Sequence, residues 1–574
     1  MVAEGRELDW EQDNAGLSCA KLNKIPPCIY SINAFGSKEL VAFADPPEFF
    51  KDQTRQKRWT LPPASVCLWP YEEMYSDDVK RADGTYDNDA RLRAARGYFG
   101  ELQGGRSLVF YYSNYSNPFS EEDRRHYVIV GMSRIKNIGD ELFYEECSQE
   151  TIRKFGGGFV WDRVITSNYP DEGLLLPYHR YINNPDQLNR FLFIPDNPRN
   201  FKYGTRHISD DDALDLVERF LEITGTLKEM GDRSEDWSQR MLWLSSLIAE
   251  LWNNRGLYPG MLKVLNYIGF HDAIPLYKAQ AEAGKESEVK DEIFAFLDGK
   301  AECISGLMNL PQILMTVCRQ WQLKEESERQ LLREAFPRFD LSVEQIQRIL
   351  DKKRDQVGIR ATLAEIGVNP YLLCEQYDVG DRPDDVITFN KIDHGMFPSP
   401  SLGASPACER DDWRRLRALC VERLRHESQH SFMSASQVIH DVNHKLSFLP
   451  EWKRHQFTEK YLAVDEANLS GALVFREDAR RKYIYLKGVY EDERAIEQQL
   501  RILVCRPNIK LKFPVTDKHW HVFLYDPQSP IAQKDPTEYE QVIQEQVAIC
   551  QKIFARPLAV LSGGAGTGKT TVVK

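Results

Sequence analysis

Long apolar runs are missing from this 574-residue chain, and so is any paired cysteine motif. No stretch approaches the roughly eighteen consecutive apolar residues of a bilayer-spanning helix. The opening MVAEGRELDWEQDN is acidic and has no apolar core of the secretory type. A cytoplasmic protein is therefore expected. The eleven cysteines are an odd number scattered without a CxxC spacing, which argues against a disulfide framework and against a zinc ribbon. Cys19, Cys28 and Cys67 lack the fourth ligand of a metal site and read more simply as small buried hydrophobes. HExxH and GxSxG are absent, as are fixed-period repeats and low-complexity tracts. An excess of positive charge is absent too. The formal net charge of −12 discourages indiscriminate adhesion to nucleic acid, but a local basic track is enough for a specific contact. Lys51 to Arg58 (KDQTRQKR) and Arg506 to Lys512 (RPNIKLK) are short basic segments of this kind, although such runs are commonly solvated faces.

The C-terminal end is where a chemical signature stands. The string SGGAGTGKTTVV meets the pattern GxxxxGK(S/T) through Gly563, Gly568, Lys569 and Thr570, with Gly564 and Gly566 adding residues without a Cβ. Glycines allow successive backbone N–H groups to converge on the phosphate oxygens of a nucleotide. Lys569 supplies a mobile charge for those oxygens, and the Thr570 hydroxyl is suited to ligate Mg²⁺. A helix opening at about Gly568 adds its N-terminal partial charge. The preceding run Pro557-Leu-Ala-Val-Leu-Ser562 predicts a short buried parallel strand entering the loop. ATP and Mg²⁺ are the expected cofactors. The residues expected to hold the nucleotide are Gly563, Gly564, Ala565, Gly566, Thr567, Gly568, Lys569, Thr570 and Thr571, with Lys569 and Thr570 carrying the chemistry.

At 66.5 kDa the chain is expected to fold as several domains, and its patterning predicts a multidomain α+β protein. Residues 1–205, rich in aromatics and prolines, read as a β-rich module. Its clearest strand pair is Arg106–Tyr112 with His126–Met132, and Gly158–Ile165 is a third candidate. Residues 209–378 read as an all-helical module of hairpins, with the acids of Ser209-Asp-Asp-Asp at a helix start. Helices are expected at about 236–254, 260–268, 287–297, 326–335 and 343–354, then a helical hairpin over 358–377. A loop-rich joint follows. Residues 407–503 predict a winged-helix-like module, with helices at about 411–428, 434–445 and 451–462, strands at 473–475 and 483–486, and a helix at 489–503. A β-like run His521–Tyr525 precedes residues 535–574, the start of a RecA-like α/β P-loop domain in which a helix at 538–553 runs toward the phosphate loop and which reads as truncated after that loop.

The loop GGAGTGKTT resembles the GGPGTGKTT of RecD-like DNA helicases of superfamily 1, with Ala565 in place of the usual proline. Gln546, seventeen residues before Gly563, stands where that family keeps an adenine-reading glutamine. A carboxamide offers one donor and one acceptor to the base edge. Gln541, Gln544 and Gln551 lie on the same predicted helix, so polarity alone does not single Gln546 out. Asn369-Pro-Tyr-Leu372 resembles the family's helical hairpin domain. Trp413–Arg417, His430–Phe432 and Tyr483–Leu486 resemble its winged N-terminal module. The resemblance implies an ATP-driven motor that translocates 5′ to 3′ on single-stranded DNA and unwinds duplex, with DNA as partner and no membrane. It also implies that the catalytic carboxylates and arginines lie downstream of the loop, so that these 574 residues alone are not expected to hydrolyse ATP.

Within residues 1–205, RSLVFYY, VIVGMSRI and LLLPYHRY occur in the order found in larger bacterial RecD-like proteins, and the first pair resembles PUA or EVE-type folds. Under that resemblance Tyr111, Tyr112, Tyr115 and Trp161 are a candidate aromatic cage for a base, against the ordinary reading that alternating aromatics form a core. The alternative function is then a nucleic-acid-recognising regulatory or defence ATPase with a modified-base reader at its N-terminus. A P-loop signalling ATPase of the AAA type is a third reading.

Overall fold

The computed structural model describes residues 2–4, 33–44, 57–68, 70–74, 76–116, 125–143, 160–181, 183–195, 207–307, 311–380, 385–427, 430–478, 481–510 and 512–562. The fold is mixed α/β, and its β-structure is antiparallel throughout the described residues. The chain divides into two compact units, Met1–Arg423 with Val438–Asp465, and Leu424–Gln437 with Glu466–Lys574.

In the first unit, β1 (Val2–Glu4), β2 (Leu40–Ala44) and β3 (Lys57–Leu61) form one small sheet. A larger sheet is built around β6 (Arg125–Phe143), which pairs along its length with β5 (Leu108–Ser116), β7 (Val160–Ser167) and β8 (Gly173–Leu175), while β4 (Ser65–Leu68) extends it beyond β7. The register slips at Tyr111/Tyr112 and again along the β6–β7 pair, and such bulges add twist and bend a strand. The sheet thereby curls. Val128 to Ile135 are buried on both faces of β6, because each face has a cover. Leu68, Ile135 and Ile165 pack with Tyr98 and Phe99 of α1 (Asn88–Glu101). Val128, Val130, Met132 and Leu174 join Phe220, Leu221, Trp237 and Trp252 of α2 (Asp210–Glu229) and α3 (Trp237–Arg255) in a single core. Gly131 is required there: a Cβ would stand 2.4 Å from the Leu174 carbonyl oxygen and 2.5 Å from the Phe35 ring.

The β-rich N-terminal residues and the first two long helices therefore share one hydrophobic interior. Arg134 adds a polar tie, donating to Glu172 at 3.1 Å and to Glu250 of α3 at 2.8 Å. Beyond α3 come α4 (Met261–Tyr267), α5 (Ala273–Glu282), α6 (Glu286–Leu297), α7 (Pro311–Gln322), α8 (Val343–Leu350), α9 (Leu363–Val368) and α10 (Phe389–Met396). Capping boxes at Ser342/Gln345 and Thr362/Glu365 open α8 and α9, satisfying N–H groups that a helix start otherwise leaves unpaired.

Helices α11 (Trp413–Arg425) and α12 (Ala435–Phe448) follow. The helix expected at 451–462 is instead a 3-10 turn, Glu451–Lys453, and a short helix, Glu459–Val464. Asn443 explains the break. Its side chain exchanges two 2.8 Å hydrogen bonds with the backbone of Phe457, so those groups are committed outside a helical ladder.

The second unit holds a small sheet in the order β10 (Leu473–Asp478), β11 (Arg481–Leu486), β9 (Phe432–Ser434), then α13 (Lys487–Val504), α14 (Asp517–Leu524) and α15 (Pro536–Phe554). The β-like run His521–Tyr525 is helical as far as Leu524, forming the second half of α14, and Tyr525 follows it in extended backbone. Its capping residue Thr516 starts a helix, and Trp520 and Leu524, four apart, both pack on α15. The strand expected at Pro557–Ser562 is not formed, and Val560 is 88% exposed. A parallel strand draws its hydrogen bonds from neighbouring strands, and among the described residues none lies beside it.

Candidate functional site

Gln546 belongs to the buried stripe of α15. Asp535 caps the helix, accepting from the N–H groups of Thr537 and Glu538, and Pro536 occupies its first position. Ile543, Val547 and Cys550 then recur at helical spacing and pack against Leu524, Trp520, Tyr525 and Leu561. Gln546 falls on this apolar face, 9% exposed, while Gln541, Gln544 and Gln551 are exposed. Its Oε1 is buried without a hydrogen-bond donor among the described residues. An unsatisfied buried carbonyl costs about 1–3 kcal/mol, so a glutamine in this position fits a partner that brings a donor. The surrounding scaffold is fixed by His521 Nε2 against Glu540 Oε1 at 2.8 Å, by the Tyr539 hydroxyl accepting from Asp526 N at 3.1 Å, and by Trp520 against Phe554 with ring centroids 4.7 Å apart.

Gly563, Gly564, Ala565, Gly566, Thr567, Gly568, Lys569, Thr570 and Thr571 lie outside the described residues. Cys19 and Cys28 do as well, and among the described residues no cluster of His, Cys, Asp or Glu has the makings of a metal site. No helix among them is long and apolar enough to cross a membrane. Of the basic segments, Arg506 and Lys510 are exposed.

Two rings of the candidate cage are described, and both belong to the core. Tyr111 is 6% exposed, its ring 5.0 Å from Phe35 and its hydroxyl 3.0 Å from Ser133 Oγ. Burial pushes its pKa up to about 12. Tyr112 is half-buried against the same core. The side chains of Tyr115 and Trp161 lie outside the described residues.

A buried charge network in the first unit has no counterpart in the sequence expectations. Ser209 caps α2 through Asp212 N at 3.1 Å, so the acid-rich stretch does begin a helix. Asp211, Asp215 and Glu218, spaced four and three apart, also put carboxylates toward one histidine. His394 is fully buried, with Nδ1 2.7 Å from Asp211 Oδ1 and Nε2 3.2 Å from Glu218 Oε2. Asp211 accepts in addition from Arg255 at 2.7 Å. Next to this group Asp393 accepts from Arg415 at 2.8 and 3.0 Å and from the Tyr371 hydroxyl at 2.7 Å, with Lys453 Nζ 3.4 Å away.

Burial and the Lys453 charge pull the His394 pKa down, but Glu218 and Asp211 outweigh them and raise it. Burial likewise opposes ionisation of Asp211 and Asp393; Arg255 and His394 for the first, and Arg415 and Lys453 for the second, hold both well below the usual carboxylate range. Burial pushes Asp215 up to about 7 despite His394. The signal in the sequence was the recurrence of acids along the apolar face of α2, which periodicity alone would have flagged. Asp211, Glu218, Asp393 and His394 are sealed from solvent, with Asp215 at the margin, so the network is a device of the core.

No family model matches the chain. It is 25% identical over 508 residues to an uncharacterized protein of Methanocaldococcus jannaschii, MJ1519, an alignment that takes in 80% of this chain and 41% of the relative. The chain thus spans well under half the length of that relative.

Proposed function

We propose that this chain is the N-terminal portion of an ATP-dependent DNA helicase of the RecD-like type, cytoplasmic, in which ATP hydrolysis is coupled to translocation on single-stranded DNA and to duplex unwinding. The observation that carries the reading is Gln546. It is a buried carboxamide with a donorless Oε1, on the apolar stripe of α15, seventeen residues before the first glycine of GGAGTGKTT. The exocyclic amine of adenine would supply the missing donor, and the carboxamide N–H₂ can donate to a ring nitrogen.

The backbone of Gly563 to Thr571 would cradle the phosphates, Lys569 would neutralise them and Thr570 would ligate Mg²⁺. ATP, when bound, supplies the phosphoanhydride whose hydrolysis drives the motor. Residues of this chain would then act by position and charge: Gln546 of α15 would engage the base, and Lys569 would neutralise the β- and γ-phosphates. The winged-helix-like and helical-hairpin characters of the preceding modules belong to the same proposal, as does DNA as partner.

The test is nucleotide-driven strand separation by the longer protein that carries these residues, with Lys569→Ala beside it. Unwinding that requires ATP and is abolished by Lys569→Ala supports the reading. Absence of any ATP-dependent unwinding or DNA-stimulated hydrolysis in the unaltered protein overturns it.

A further inference from the structure

The small sheet of the second unit has two unlike faces. Residues paired directly across antiparallel strands share a face. Met433, Ile484 and Phe475 form one row, with Ile484 fully buried and Met433 9% exposed. Leu473, on the same side of the sheet, is buried too. The other face carries Phe432 opposite Tyr485, and Tyr483 opposite Ser434 and Arg476.

On this second face the rings form a connected strip. Phe432 is 38% exposed, 4.8 Å from Tyr485 and 5.3 Å from Tyr483 between ring centroids. Tyr485 meets Tyr490, in the first turn of α13, at 5.3 Å. Two guanidinium groups bracket the end of the strip, Arg476 at 4.9 Å and Arg494 at 5.3 Å from the Tyr490 centroid. Arg494 is paired with Glu497 at 2.5 Å. Arg476 is exposed and forms no ion pair with the described residues. Glu493, the nearby acid, accepts from the Ser431 hydroxyl.

We infer that this aromatic face, Phe432, Tyr483, Tyr485 and Tyr490 with Arg476 and Arg494, is a stacking platform for single-stranded nucleic acid. Phe432 is the exposed ring of the strip and Tyr483, Tyr485 and Tyr490 are half-buried; aromatic surface of this kind stacks on bases of any sequence, and the flanking arginines complement the phosphate charge. The face is a few residues long and accommodates two or three successive bases. A duplex hides its base faces and gains only the arginine contacts. The platform deepens the motor reading, and rests on it for the choice of DNA as the polynucleotide.

The experiment is equilibrium binding of a fluorescein-labelled dT20 oligonucleotide to the full chain, measured by anisotropy without nucleotide, with a 20-base-pair duplex as comparison. Phe432→Ala and Tyr485→Ala are each expected to weaken dT20 binding by roughly 5- to 100-fold. Tyr485→Phe is expected to retain binding, because stacking uses the ring and not the hydroxyl. Phe432→Leu, which keeps an apolar side chain for packing, separates loss of stacking from loss of fold and is expected to weaken binding as the alanine variant does. Unchanged dT20 affinity in Phe432→Leu and Tyr485→Ala overturns the platform, as does equal affinity of the unaltered chain for duplex, or displacement of dT20 by a proline-rich peptide at the same face. ATP-dependent unwinding by the longer protein is read separately. If it persists while the platform variants bind normally, the platform falls and the motor stands; if platform-dependent binding is found without ATP-driven activity, the reverse holds.

Discussion

His394 and Asp211 meet at 2.7 Å in a part of the core that excludes solvent, although 183 residues separate them in sequence. With Glu218 on the other ring nitrogen, only the doubly protonated imidazolium donates to both carboxylates. The histidine is thus a buried cation tying α10 to α2.

Replacing His394 by leucine is expected to destabilise the first unit by about 3–5 kcal/mol, the usual cost of removing one member of a buried ion pair. The urea midpoint of the full chain, followed by tryptophan fluorescence, measures it. A change below about 1 kcal/mol would mean that the carboxylates find other partners.

The network also gives stability a direction with pH. The raised pKa of His394 contributes stability in full below its ordinary 6.5, and that contribution is lost as pH climbs through the folded-state value. The lowered values of Asp211 and Asp393 contribute above the ordinary 3.8 and are lost as pH falls toward their folded-state values. Asp215 acts oppositely. Between 3.8 and about 7 the unfolded chain has released a proton that the folded chain retains, so stability declines across that window. A shift of this size corresponds to at most about 4 kcal/mol. Asp215→Asn is expected to remove this decline, seen as a flatter plot of urea midpoint between pH 4 and 7.

Gly260 tests packing at the base of α4. A Cβ there would stand 2.2 Å from the Phe339 carbonyl oxygen and 2.3 Å from that of Phe336. Both are backbone atoms that cannot rotate away. Gly260→Ala is expected to cost about 2–3 kcal/mol by overpacking; a shift in melting temperature of a degree or less would contradict it.

Gln546→Leu should part stability from function. Removing a donorless buried carboxamide is expected to raise the stability of the second unit by on the order of 1 kcal/mol. In the longer protein the same change is expected to raise KM for ATP about tenfold and to erase preference for ATP over GTP. Unaltered nucleotide preference would remove the base-reading role.

Much of this organisation was legible in the chain. The β5–β6 pair, the helices after Ser209 and the hairpin of β10 and β11 follow from alternation, caps and 3.6-residue periodicity. His521–Tyr525 misled because a short apolar run suits either state, and the decision was made by Thr516 and by packing on α15. Gln546 could have been separated from its neighbouring glutamines by noting that it shares the stripe of Ile543 and Cys550. The partners of Asp211 could not be read locally, since His394 and Arg255 arrive from distant helices.

The interior shared by the curled sheet and helices α2 and α3 bears on unfolding. Phe110 and Phe193 lie against Phe220 with ring centroids 6.4 and 5.0 Å apart, so severing the chain between residues 205 and 209 would leave two sticky surfaces rather than two domains. The curled sheet and helices α2 and α3 are therefore expected to unfold in one cooperative step.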